Sequence, residues 1–153
     1  MHMSTATIDN RTMPPCTVIP ILAYPNVDEA ISWLCGAFGF ALRWRMGSHR
    51  TQLAYKEGCV VVTDGFANQP TVTGNENNAV THSVMMRVND IDTHFANALL
   101  YNPTVLHGPT DFFYGERQYS VKDIGGHIWT FSQSIKDVSP TEWGAEVGEA
   151  IKR

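Results

Sequence analysis

The sequence predicts an α+β fold, two tandem βαβββ modules whose curled mixed sheets surround a cleft. Three observations carry that expectation. The order strand, helix, three strands occurs twice along the chain. The landmarks of the halves register, Asn26-Val27-Asp28 against Asp90-Ile91-Asp92 at an offset of 64 and Gly58 against Gly126 at 68. The chain has 153 residues, 43% hydrophobic and 17% charged, enough apolar material for one core and too little charge for a disordered polymer. Repetition of this size is an architectural signal. One four-stranded half cannot cover its concave face alone, so two associate around a hollow, a natural place for a small molecule.

Each element has its own signal. Residues 1–15 are polar, end in Pro14-Pro15 and read as a flexible N-terminal arm. Thr17–Ala23 is β-branched and apolar, with Pro20 marking an edge or a bulge. Asn26 caps a helix with Glu29 at its third position, and Ala30, Ile31, Leu34 and Phe38 recur at helical spacing until Gly39. Strands over Phe40–Met46, Arg50–Lys56 and Cys59–Thr63 are separated by Gly47-Ser48 and Glu57-Gly58. Residues 66–79 form a turn-rich linker between a first module (about 16–65) and a second (about 80–134).

The order then restarts. Thr81–Val88 is a strand, and Ile91, Phe95, Ala98 and Leu99 make a helical stripe. Thr104–His107 is a short strand before the turn Gly108-Pro109-Thr110-Asp111. Tyr114–Lys122, the turn Asp123–Gly126 and His127–Gln133 complete a single domain over residues 16–135. Residues 136–153 read as a helical tail with Ser139 as N-cap and Pro140 at its first position.

Charge and cysteines narrow the partners. The net charge of −4 argues against a nucleic-acid surface and favours neutral or cationic small molecules. Cys16, Cys35 and Cys59 are an odd set without CxxC spacing, so they fit a reduced, cytoplasmic protein without a disulfide framework. No run approaches the ~20 apolar residues of a membrane span.

Two segments, Tyr24–Phe40 (YPNVDEAISWLCGAFGF) and Tyr114–Gln133 (YGERQYSVKDIGGHIWTFSQ), carry a family resemblance. The chain over about residues 17–133 resembles the vicinal-oxygen-chelate superfamily: glyoxalase I, extradiol dioxygenases, fosfomycin-modifying proteins and bleomycin-resistance proteins. Ile124 replaces the proline usual in the family's last turn. The resemblance implies the glyoxalase/bleomycin-resistance fold and a homodimer. It also implies a test, because catalytic members hold a divalent metal through His, Glu or Gln on matching strands. The matching positions here are Ile19, Val62, Ser83 and Thr130. Isoleucine and valine offer no lone pair to a metal, so no metal and no cofactor are expected. His82 lies one residue from Ser83, but a one-residue slip in a strand reverses its face.

The remaining candidates have competing roles. Strand parity puts Ser83, Met85 and Arg87 on the face shared with Thr130, leaving Trp129 and Phe131 for the core. An inward Arg87 would be a buried charge in need of an anion. Arg117 fits either ligand recognition or strand locking against Asp123 or a neighbour of Glu116, and the resemblance favours locking. His82 and His127 fit backbone hydrogen bonding better than catalysis. Trp44, Tyr55, Phe113, Tyr114 and Tyr119 suit an aromatic wall for planar or cationic ligands. The expected function is a metal-free, dimeric small-molecule binder of the bleomycin-resistance kind. The alternative is a glyoxalase-like lyase or isomerase, or a dioxygenase, with an atypical metal-ligand set.

Overall fold

A computed structural model describes residues 7–67, 70–71 and 80–151. Most of the expected linker therefore lies outside the described residues. The first module runs β1 (Ile21–Ala23), α1 (Val27–Phe38), β2 (Ala41–Met46), β3 (Arg50–Tyr55) and β4 (Gly58–Thr63). The second runs β5 (Val84–Arg87), α2 (Ile91–Leu99), β6 (Thr104–Phe112), β7 (Glu116–Lys122) and β8 (Ile128–Ser134). The sheets have matching strand orders, β1-β4-β3-β2 and β5-β8-β7-β6. In each, the first strand pairs parallel with the last and the others are antiparallel.

Local chemistry places the helices as the sequence suggests. The Asn26 side chain accepts a hydrogen bond from the Glu29 amide at 3.0 Å, and Asp90 does the same for Thr93 at 3.2 Å. Gly39 ends α1 at φ 87°, a left-handed conformation in which a side chain would be strained.

The helix-facing sides of both sheets share one core. Leu53, Val60 and Val62 of the first sheet join α1, and Tyr119, Val121, Trp129 and Phe131 of the second join the same cluster. Phe38, the last residue of α1, meets Trp129 and Phe131 of β8 with ring centroids 5.2 and 4.7 Å apart. The expected core role of Trp129 and Phe131 holds, each fully buried. The concave faces of the two curled sheets therefore turn outward, away from this shared core.

A second tie joins the modules. Asp123, at the turn before β8, is buried and accepts hydrogen bonds from Tyr24 Oη, Trp129 Nε1 and the amides of Gly125 and His127. Burial, then the Asp123 charge, lifts the Tyr24 phenol well above its ordinary pKa. His127 Nε2 lies 2.7 Å from the Ala23 carbonyl, so this histidine does bond backbone, across the module boundary. Arg117 pairs instead with Asp92 of α2 and Asp111 of β6. Its role is the locking one, with different acids from those expected.

Several boundaries differ from expectation. The strand expected to end at His107 continues to Phe112, because Gly108-Pro109-Thr110-Asp111 is a bulged stretch within β6. At the β3–β4 turn the left-handed residue is Lys56, with φ 51°, and not a glycine. Leu99 is exposed, so the α2 stripe is narrower than its apolar residues suggest. Among its described residues the C-terminal tail forms two short 3-10 turns, Pro140–Trp143 and Glu149–Ile151, and the Ser139 side chain makes no capping bond.

Candidate functional site

Strand parity decides what each concave face offers, because directly paired residues share a face. In the second sheet Tyr119, Val121, Trp129 and Phe131 point to the core. Gln118, Ser120, Thr130 and Ser132 therefore point outward, with Met85 and Arg87 beside them on β5. Ser120 and Thr130 confirm this with a side-chain hydrogen bond at 2.7 Å. On β6 the same face carries His107, Thr110 and Phe112, paired with Ser120, Gln118 and Glu116. Met85 at the edge of this face is 57% exposed and Thr130 is half-buried, while Ser120 and Ser132 at its centre are buried.

Glu116 is the held charge of this face. Its Oε1 accepts from Ser132 Oγ at 2.6 Å and from Gln118 Nε2 at 3.0 Å. Those two bonds fix the carboxylate beside the groove that Glu116 helps to line.

Aromatic rings run from this face into that groove. His107 meets Phe112 edge-on at 6.3 Å, Phe112 stacks on Tyr114 at 5.3 Å, and Tyr114 meets Trp143 at 5.7 Å. The groove has a volume of about 880 Å³ and runs between the end of the sheet and the C-terminal tail. Such a volume suits a drug-sized molecule. Among the described residues, Glu116, Asp137 and Glu142 line it together with Lys136. Gly115 is required at its floor, since a Cβ there would lie 2.0 Å from the Lys136 carbonyl oxygen.

The sequence-derived candidates divide clearly. Met85, Arg87 and Thr130 belong to the second face by parity, Ser83 lies exposed just before β5, and Tyr114 lines the groove. Phe113 is 74% exposed at the rim and packs edge-on against Tyr114. Arg87 needs no buried counter-ion, contrary to expectation, because it is exposed. Trp44 lies on the concave face of the first sheet, opposite Gln52.

Tyr55 and Tyr119 do not line either concave face. Tyr119 is fully buried under α2, where Phe95 and Phe131 pack against it. Tyr55 packs against Phe40 and His94 on the helix side. Both share parity with residues whose inward direction only the packed helices reveal.

His94 was missing from the sequence reading. It is half-buried on α2, with Nδ1 2.6 Å from Tyr119 Oη and Nε2 3.0 Å from the Phe38 carbonyl. The carbonyl can only accept, so Nε2 carries the proton and Nδ1 accepts from the phenol. Burial holds the imidazole below its ordinary pKa. Its helical spacing from Ile91 and Ala98 was the available signal.

The donor set does not fit the family's divalent metal. Val62 is a core residue, so the second matching position faces away from the concave surface. The reason is a difference in turn length, which slips the count from the hairpin glycine by one residue. The β3–β4 turn leaves two residues between paired Tyr55 and Gly58, and the β7–β8 turn five between Lys122 and Ile128. The outward residues of β4 are Cys59, Val61 and Thr63, and those of β8 are Ile128, Thr130 and Ser132. Among the described residues no three His, Cys, Asp or Glu side chains gather to hold a metal ion.

Comparison with known families agrees with this architecture. The model of the glyoxalase/bleomycin resistance protein/dioxygenase superfamily matches residues 14–131. The chain belongs to that superfamily. TioX from Micromonospora sp. ML1 is 28% identical, with a TM-score of 0.64 over 78% of this chain and 99% of its own. TnmS3 from Streptomyces sp. CB03234, described as an antibiotic binding protein, is 20% identical with a TM-score of 0.61, covering 87% and 99%. A superfamily enzyme from Burkholderia phytofirmans PsJN is 11% identical with a TM-score of 0.62, covering 76% and 97%. The last two likenesses speak to the fold alone. No curated protein matches the sequence. No helix among the described residues is long and apolar enough to cross a membrane.

Proposed function

We propose that this superfamily member binds and sequesters a planar, cationic small molecule on the outward face of its second sheet. The observation that carries this is the run of rings Phe112, Tyr114 and Trp143 beside the held carboxylate of Glu116. Flat aromatic faces attract cations and stack on planar groups, and a carboxylate fixes the charged end. Burial against the rings would supply most of the affinity, at ~25 cal/mol per Å² of apolar surface. Ser120, Thr130 and Arg87 would set the ligand's orientation. TnmS3, which shares the fold and is described as antibiotic-binding, is a precedent for such use.

One chain supplies one wall. Because the two concave faces turn away from the shared core, a second copy of the chain provides the opposite wall, and the working unit is a homodimer. Three free thiols fit a reducing cytoplasm as its location.

Isothermal titration with a planar cationic intercalating dye, a cationic glycopeptide and a neutral planar control tests this. Saturable heat with the cations, weakened about tenfold by Tyr114→Ala and by Glu116→Gln, is the expected result. Uniform absence of binding overturns it.

A further inference from the structure

The two concave faces are not in the same state. In the first sheet, the outward residues Gln52, Cys59, Val61 and Thr63 are 2–5% exposed. On the second sheet Ser120 and Ser132 are also buried, at 7% and 6%, while Thr130 is half-buried and Met85 at the edge is 57% exposed. The cover includes the chain's own arm. Arg11 and Thr12 present their carbonyls to Arg43 Nη2 at 3.2 Å and Trp44 Nε1 at 3.3 Å. Arg43 is also bonded to the outward-facing Gln52, which places these donors on the concave side. Pro14 is buried, and Cys16 comes close enough to raise the Cys59 thiol electrostatically, after the larger effect of burial.

The arm is shaped for this seat. Asn10 closes a turn, accepting from the Thr12 amide at 3.0 Å while the Met13 amide donates to the Asn10 carbonyl at 3.1 Å. Residues 10–16 thus take a defined turn against the first sheet. Its attachment is nevertheless slight. Two hydrogen bonds to exposed carbonyls and one buried proline are contacts that a competing surface can replace.

We infer that residues 7–16 are a displaceable strap on the first sheet, which must leave before that sheet can close over a ligand held by the second sheet of another copy. This rests on the ligand-binding reading above. With the strap seated, only the fraction of chains that have released it can form the closed cleft. Apparent affinity is reduced by that fraction.

Two measurements separate the strap from the ligand. Without ligand, the rate at which a maleimide labels Cys59 is followed by mass spectrometry, with Cys35 on α1 as internal reference. Removal of residues 1–15 should speed Cys59 labelling about tenfold relative to Cys35, and Trp44→Phe, which keeps the ring and removes the donor, should speed it severalfold. Unchanged labelling in both variants overturns the seat of the strap. In the second measurement the same planar cationic dye is titrated into the full and shortened chains. Binding about tenfold tighter to the shortened chain is expected, and equal affinity overturns the coupling. Absence of dye binding to both chains overturns the ligand reading and the gating with it, while Cys59 labelling still decides whether the strap is seated.

Discussion

The two modules share a topology and differ in what their concave faces do. The first face carries Cys59, Val61 and Thr63 with Gln52 and Trp44 across from them, and Arg11 and Thr12 of the chain's own arm bond to it. The second carries Arg87, Glu116, Gln118 and a run of aromatic rings, with Met85 exposed at its edge. Strand order and pairing are the same in both. The contrast shows that the fold fixes only where side chains project. The identity of alternate residues on four strands then decides whether a face becomes a seat for the chain itself or a surface for something else.

The largest test of this contrast concerns what holds the modules together. Asp123→Ala should lower stability by about 3–5 kcal/mol, since it strands the donors of Tyr24, Trp129, Gly125 and His127 in the interior. The exposed β3–β4 turn has no such role, and Glu57→Ala should change stability by less than about 0.5 kcal/mol. Urea midpoints would reveal the difference, and equal effects would break the comparison.

Next comes the second face. Glu116→Gln and Tyr114→Ala should each weaken dye binding about tenfold. Ser32→Ala, on the exposed side of α1, should leave that binding within about twofold.

A smaller effect separates the helices. His94 of α2 corresponds to Ala30 of α1 at the 64-residue offset, so one module titrates where the other does not. Because burial depresses the His94 pKa, its neutral form stabilises the fold fully above the unfolded value of 6.5. That stabilisation is lost as pH falls below 6.5 toward the folded pKa, where the unfolded chain binds the extra proton. Midpoints measured from pH 7.5 to 5 should decline for the parent chain, and His94→Gln should flatten the decline. The smallest effect tests a shared feature. Asn26→Ala should cost about 1 kcal/mol through loss of the α1 cap, and Asp90→Ala should lower stability in the same direction.

Much of the fold was legible because its signals are local. The caps Asn26 and Asp90 sit three residues before the amides they bond, and the period of two along β8 separated Trp129 and Phe131 from Thr130. The same parity grouped Ser83, Met85 and Arg87 with Thr130. It could not tell Tyr119 from a cleft residue, because parity gives two faces and says nothing of which one a helix covers.

Sequence alone therefore determined the repeat, the elements, the caps, the alternation of faces and the poverty of metal donors at the matching positions. Tertiary structure decided that the helix sides meet, that Asp123 reaches Tyr24 across 99 positions of chain and that His127 reaches Ala23 across 104. It also decided that the arm covers one face and not the other. The physical reason is range. Capping and alternation are set by bonds between near neighbours, whereas contacts between distant segments form only when burial of the whole core brings those segments together.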